Sequence, residues 1–353
     1  MMDFITKKGF RNLAQGLIKD YVFYGPVTKD GFPAFSRIEE FSQLKLSQTP
    51  SHISAKGFLF PPKETLLRFD IEKGMAEGVA DAEKQVLFGL HSCDVHAINL
   101  MDRVFSYGKP DVNYLKRREN TIIVGTECVP DEYCFCASIG TMTVDEGFDI
   151  FLHGVKGGFI ARAGSGRGRS LLKKYASPSK TKRAALKELE RLTEKKKTLF
   201  KARLDIDDPS LLPLVYSFAD GHPVWEKIGA VCYGCGSCNN VCPTCYCFDV
   251  RDEVSMDLKK GTRSRVWDGC TLEDFAKVTG GMNFRKTRAD RLRHRFNRKF
   301  RYLADRFKGL FCVGCGRCSR TCLVKINISE VTNEILRASK ERPLAVPAGK
   351  SKG

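Results

Sequence analysis

Apolar residues recur along the first half of the chain with two different periods. Phe10, Leu13, Leu17, Ile18 and Tyr21 stand at helical spacing, and the run 21–26 that follows reads as a strand closed by a Gly25-Pro26 turn. Short continuous apolar runs at 86–90 and 121–125 predict buried strands. Between them, 93–105 reads as a helix with Ile98, Met101 and Phe105 on one face. Residues 148–155 and 158–163 predict a hairpin that turns near Lys156-Gly157. The stretch 164–169 is glycine-rich and reads as a turn capping a helix that starts near Ser170. Strand–helix–strand order predicts a mixed sheet with helices.

From 177 to 203 the pattern changes. Lysines dominate, and Leu186, Leu189 and Leu192 leave only a thin apolar stripe, which predicts a long exposed helix connecting two domains. Asp207, Asp208 and Pro209 mark the boundary, and after Leu211 the chain is organised around cysteine.

Composition narrows the class. A chain of 353 residues allows about two domains. No apolar run approaches the roughly 18 residues of a membrane span, so no membrane insertion is expected. The first residues carry no long apolar stretch before a cleavage site, so no secretory signal is read and a cytoplasmic location is expected. There, 15 cysteines read as metal or redox sites rather than disulfides, and their odd number excludes complete pairing. A net charge of +18 leaves nucleic acid, an acidic protein partner or an anionic cofactor open.

Two cysteine runs share one spacing. Cys232, Cys235, Cys238 and Cys242, followed by Pro243, stand at C-x2-C-x2-C-x3-C-P, and Cys312, Cys315, Cys318 and Cys322 repeat it with Leu323 in place of the proline. This is the bacterial ferredoxin pattern for [4Fe–4S] clusters, in which the fourth cysteine, at the start of a helix, serves the other cluster. Cys232, Cys235, Cys238 and Cys322 are therefore expected at cluster one, and Cys312, Cys315, Cys318 and Cys242 at cluster two. Gly234, Gly236, Gly314 and Gly316 let the backbone fold closely over the sulfides. A four-cysteine zinc site is the competing reading, but it would leave the third and fourth cysteine of each run idle. The two runs are separated by an insertion, 243–311. The expected fold is α+β: a mixed α/β domain over 1–205, then a ferredoxin-like, mainly helical dicluster domain over 206–340, with 341–353 as a flexible tail.

Seven cysteines remain. Cys93, Cys128, Cys134 and Cys136 lie in the α/β part near two strand ends, and are a candidate third cluster site, weighed against buried or lone thiols. Cys245, Cys247 and Cys270 are one short of a usual cubane set and stay unassigned: they would take an oxygen ligand, borrow a cysteine, or pack around a cluster.

Residues 242–250, Arg265-x-Trp267-Asp268-x-Cys270 and Thr287-Arg288-Ala289 resemble the 4Fe–4S dicluster family. That family includes beta subunits of cytoplasmic NiFe hydrogenases (sulfhydrogenases) and one of the subunits of anaerobic sulfite reductases. Residues 61–66, Cys93-Asp94-x-His96-Ala97, 117–121 and 134–140 are similar to the same family, so the resemblance covers about 55–335. It implies an iron–sulfur electron-transfer subunit of an anaerobic complex. Such a subunit relays electrons between a flavin-containing subunit, served by NAD(P)H or ferredoxin, and a catalytic redox subunit of hydrogenase, sulfite reductase or heterodisulfide-reductase type.

The chain itself shows no Gly-x-Gly-x-x-Gly fingerprint and no phosphate loop, so no flavin or nicotinamide site is expected in it. No nucleophile–base pair is visible, and a non-catalytic subunit is expected. His96, one helical turn from Cys93, is expected to have a polar partner rather than touch a cluster. The alternative from another class is nucleic-acid binding by 285–301, with nine Arg or Lys, one Asp, and aromatics interleaved at Phe296, Phe300 and Tyr302. The favoured reading of that segment is a docking face for an acidic partner combined with counter-charge for anionic clusters.

Overall fold

The computed structural model describes residues 2–46 and 49–341. The expected tail lies outside them, except for Glu341, which closes the helix Ile328–Glu341.

Twelve strands are present among the described residues: β1 (Met2–Thr6), β2 (Val22–Lys29), β3 (Phe32–Arg37), β4 (Lys63–Asp70), β5 (Met75–Gly78), β6 (Gln85–Leu90), β7 (Thr121–Thr126), β8 (Ile150–Val155), β9 (Gly158–Ala163), β10 (Ser179–Lys180), β11 (Phe248–Val254) and β12 (Lys260–Trp267). Eight of them form one sheet in the order β10-β1-β9-β8-β7-β6-β2-β3. Its centre, β2, β6, β7 and β8, is parallel, and antiparallel strands flank it.

Alternation explains why the short apolar runs are strands. Val86, Phe88, Ile122 and Val124 face the helix Lys7–Asp20 through Phe10, Leu13 and Leu17. Leu87, Leu90 and Ile123 face the helices Ser92–Ser106 and Val112–Glu119 through Val95, Ile98, Met101 and Tyr114. A two-sided burial of this kind produces continuous apolar strands. The helix after β9 starts earlier than its sequence suggests. Ser165 caps it through Gly168 N–H at 2.9 Å, so the helix runs Gly166–Leu171, with no start near Ser170.

The lysine-rich helix is present as Arg183–Thr198. It is not merely a connector. Leu189 and Leu192 wall a cavity against Leu152 and Phe159, and Lys196 is buried.

The 243–311 insertion departs from a mainly helical expectation. It supplies the hairpin β11–β12, whose second strand pairs antiparallel with β4 to make a four-stranded sheet, β11-β12-β4-β5. Strands on either side of the 205/206 boundary therefore share one hydrogen-bonded sheet. Arg265 of β12 is 2% exposed and paired with Glu64 and Asp111, and Glu64 also pairs with Arg117. The guanidinium lies 4.8 Å from the Phe60 ring centroid. Three separate stretches of family-like sequence thus meet in one buried ion-pair cluster.

The helical remainder packs around Leu212, Tyr216, Trp225, Leu292, Phe296 and Phe300, with Phe135 and Ile139 from the N-terminal half in the same core. Gly229 lets the helix Val224–Val231 press on Arg288–Phe300: a Cβ there would stand 2.8 Å from the Ala289 nitrogen.

Candidate metal centres

The two cysteine runs form short loops, each containing one turn of helix, Ser237–Asn240 and Arg317–Arg320. They face each other across a cavity lined by Cys232, Cys235, Cys238, Cys318 and Cys322. The first three come from one run and the last two from the other. Cys242, Cys315 and Cys318 all lie within electrostatic reach of Cys312. The fourth cysteines do not begin helices. Thr244 donates to Phe311 O at 2.6 Å and turns the chain after Cys242 toward β11, while Cys322 precedes the helix Ile328–Glu341 by a short turn.

The second run carries a further layer. Gly314 and Gly316 have φ of +59° and +69°, and a Cβ on Gly314 would stand 2.5 Å from the Cys136 nitrogen. Phe135 N–H donates to Gly314 O at 2.8 Å, and Thr141 Oγ1 donates to Val313 O at 2.9 Å. The 134–136 loop is thereby laid on the second run. Cys93 enters from the start of Ser92–Ser106, at the end of β6, and Cys128 follows the neighbouring parallel strand β7. Cys128 and Cys315 lie near enough to Cys136, and Cys315 and Cys136 to Cys93, that a thiolate at one opposes ionisation of the next. Thiols far apart in sequence are so brought to one edge of the sheet.

These groups fit an iron–sulfur cluster. Gly234 N–H donates to Cys232 Sγ and Ile326 N–H to Cys322 Sγ, both at 3.3 Å, the amide–sulfur contacts that stabilise a ligated thiolate. Burial raises the thiols, Cys238 and Cys315 to about 11 and Cys136 to about 12. Ligation therefore has to displace their protons. Among the described residues no three His, Cys, Asp or Glu side chains converge closely enough to hold a single metal ion.

The residues matching a 4Fe-4S dicluster domain model are 231–326. Over 313 residues the chain is 37% identical to sulfhydrogenase 2 subunit beta of Pyrococcus furiosus, covering 88% of this chain and 91% of that one. The chain belongs to this hydrogenase beta-subunit family. No solved structure matches it. Among the described residues no helix is long and apolar enough to cross a membrane. An iron–sulfur, electron-transfer character follows from the family and its dicluster domain.

Two of the family-like motifs outside the cysteine runs support the runs directly. Asp94 is buried and ion-pairs with the fully buried Arg317, whose NH2 donates to Asp94 Oδ2 at 3.0 Å and whose Nε donates to Ser51 O at 2.8 Å. Arg317 NH1 lies 2.7 Å from Asp94 Oδ1 as a charge contact without hydrogen-bond alignment. Thr287 caps Arg288–Phe300 with a reciprocal bond to Asp290, and Arg288 donates to Cys232 O at 2.6 Å. His96 Nε2 lies 2.7 Å from Thr143 O, the polar partner its position suggests.

The basic segment turns inward. Of its nine cations only Lys286 and Arg288 are exposed. Arg291, Arg295 and Lys299 recur every four residues and are buried beside Leu292, Phe296 and Phe300. Arg295 NH2 donates to Cys238 O at 3.0 Å, and Lys299 Nζ to Thr244 Oγ1 at 2.7 Å. A phosphate-tracking surface needs these cations in solvent. Their direction supports counter-charge instead, and the four-residue period was the signal for it.

Sequence reading missed the polar shell beside Cys128. Glu127 accepts from Lys196 at 2.7 Å and sits 2.9 Å from His153 Nδ1. Burial opposes its charge, but the His153 hydrogen bond and Lys196 outweigh it and hold the carboxyl at about 2. A depressed carboxylate contributes stability above its unfolded value and loses it as pH falls through the folded one. Glu127→Gln is thus expected to flatten thermal stability between about pH 4.5 and about pH 2, as read by melting curves across that range. An unchanged acid limb would sink the assignment.

Proposed function

We propose that the chain is a non-catalytic electron-transfer subunit of a cytoplasmic, hydrogenase-type complex. Cys232, Cys235, Cys238 and Cys322 would hold one [4Fe–4S] cluster, Cys312, Cys315, Cys318 and Cys242 a second, and Cys93, Cys128, Cys134 and Cys136 a third. Bound there, each cluster supplies one-electron storage at a potential set by its surroundings. The observation that carries this reading is the shared cavity, in which cysteines of both runs line a single space.

The chain's own residues do three things in this reading. The thiolates ligate, the amides of Gly234 and Ile326 and the guanidinium of Arg295 stabilise charge near sulfur, and burial of Cys93, Cys134, Cys136, Cys242 and Cys315 limits access of water. The first run is the most exposed part of the site. Cys235 is exposed, and Tyr233 and Leu323 flank the cavity at 67% and 75% exposure. Leu323 stands where such motifs usually carry proline, and a free apolar rim beside a cluster favours docking of a partner. The partners proposed are a flavin-containing subunit, or a ferredoxin, on one side and a catalytic redox subunit on the other.

Anaerobic purification with its co-purifying subunits tests the whole. About eight irons per chain correspond to two clusters and about twelve to three. Zinc in place of iron would overturn the reading. Cys134→Ala with Cys136→Ala should remove about four irons, and Leu323→Glu should slow electron exchange with the partner at unchanged iron content.

A further inference from the structure

Cys245, Cys247 and Cys270 line one small cavity together with Arg295, Arg298 and Lys299. The β11–β12 hairpin brings them together. Its register pairs Phe248 with Trp267, and Asp268 N–H donates to Cys247 O at 3.1 Å, which sets Cys270 beside Cys247. Asn239, 2% exposed, donates to Cys270 Sγ at 3.4 Å and stands 3.8 Å from Cys245 Sγ. Arg295 NH1 is 3.6 Å from Cys245 Sγ.

Three cations around this cavity are buried: Lys56, Arg295 and Lys299, at 7%, 3% and 5% exposure. Lys56 Nζ donates to Cys245 O at 3.0 Å and lies 3.8 Å from the Trp267 ring centroid. None of the three is ion-paired with a carboxylate among the described residues; the groups whose negative charge would stabilise them are cysteines. An isolated buried charge is strongly destabilising. Three of them at one place, with no acid among them, require a concentrated negative charge there. Protonated thiols supply none, and a single thiolate, at Cys242, meets one cation of the three. Arg295 and Lys299 act first on Cys238 and Cys242 of the first run, but Lys56 acts first on Cys245, and all three reach Cys245, so the two ferredoxin-type clusters meet only part of it.

The three sulfurs do not converge at the spacing of a single ion. The ligand that suits them is larger than one metal atom, binds thiolates and is anionic. We propose that Cys245, Cys247 and Cys270 hold a further iron–sulfur cluster with three cysteine ligands, whose charge Lys56, Arg295 and Lys299 are buried to meet. Asn239, with the side-chain amide of its own turn, donates to two of its sulfurs. This rests on the reading of the chain as an iron–sulfur protein.

The test uses the full chain, anaerobically purified and reconstituted, with iron and acid-labile sulfide counted per chain. Wild type is compared with Cys245→Ser/Cys247→Ser/Cys270→Ser. The variant is expected to lose about three to four irons and to keep the low-temperature EPR signals of the ferredoxin-type clusters. Equal iron and sulfide in both proteins would overturn the inference and leave the broader reading standing. A wild type without iron or sulfide would overturn that reading as well. Arg298→Gln keeps every cysteine and guards against misfolding of the triple variant. Loss of its cation should move the midpoint of one EPR signal to lower potential and leave the others in place. If no signal moves, the cavity does not hold the cluster.

Discussion

Gly314→Ala is expected to unseat the 133–141 loop from the second cysteine run and to strip iron from both. Gly314 has φ +59°, and its added Cβ would meet the Cys136 nitrogen at 2.5 Å and the Cys136 Cα at 2.6 Å. Those are backbone atoms, so no rotamer change relieves the contact. The left-handed conformation costs an alanine about 1 kcal/mol, and overpacking adds about 1–3 kcal/mol. The two penalties can be separated. Gly31 has φ +80° with nothing near its added Cβ, so Gly31→Ala carries the conformational cost alone. Thermal melts and iron counts on the two variants should differ sharply, with Gly314→Ala lower in both. A Gly314→Ala protein no worse than Gly31→Ala would mean that the loop does not rest on the run as described.

Arg317→Met is expected to destabilise the protein by about 3–5 kcal/mol, the cost of leaving a buried partner charge unpaired. Arg317 is fully buried and Asp94 is 3% exposed, so water cannot replace the lost guanidinium. The same change acts on the second run. Burial raises the Cys315 thiol to about 11, and Arg317 is the charge that opposes this rise. Without it Cys315 gives up its proton less readily, and iron incorporation should slow. A double-mutant cycle with Asp94→Leu is the measurement. The double variant should recover much of the loss, because two apolar side chains bury no charge. Additive losses would mean that Arg317 acts through Ser51 and the cysteine loop rather than through Asp94.

Both residues lie close to a cysteine in sequence, yet neither role was visible there. Gly314 was legible as a glycine that permits a tight turn, but not as the point where a loop 178 residues earlier rests on the run. Arg317 carried no signal at all, since its partner Asp94 is 223 residues away. The basic helix misled in part, because a count of cations does not say which way they point. Their four-residue period, in phase with Leu292, Phe296 and Phe300, did.

Local chemistry is legible in the chain alone. Cysteine spacing is a property of a short loop, so the two four-cysteine runs and the expected partition of their ligands could be read without a fold. Buried parallel strands could be read for a similar reason: a continuous apolar run of about five residues between turn signals is too short for a buried helix. Where distant thiols and charges meet is settled only by the fold. It brought Cys93, Cys128 and Cys136 to one sheet edge beside Cys315. It folded Cys245, Cys247 and Cys270 through a hairpin into a cavity ringed by buried cations, and it paired that hairpin with β4 across the expected domain boundary. These contacts are set by sheet pairing and helix packing between segments tens to hundreds of residues apart. Burial, which turns a lysine from a solvated surface charge into one that demands an anion, exists only once those segments have closed on each other.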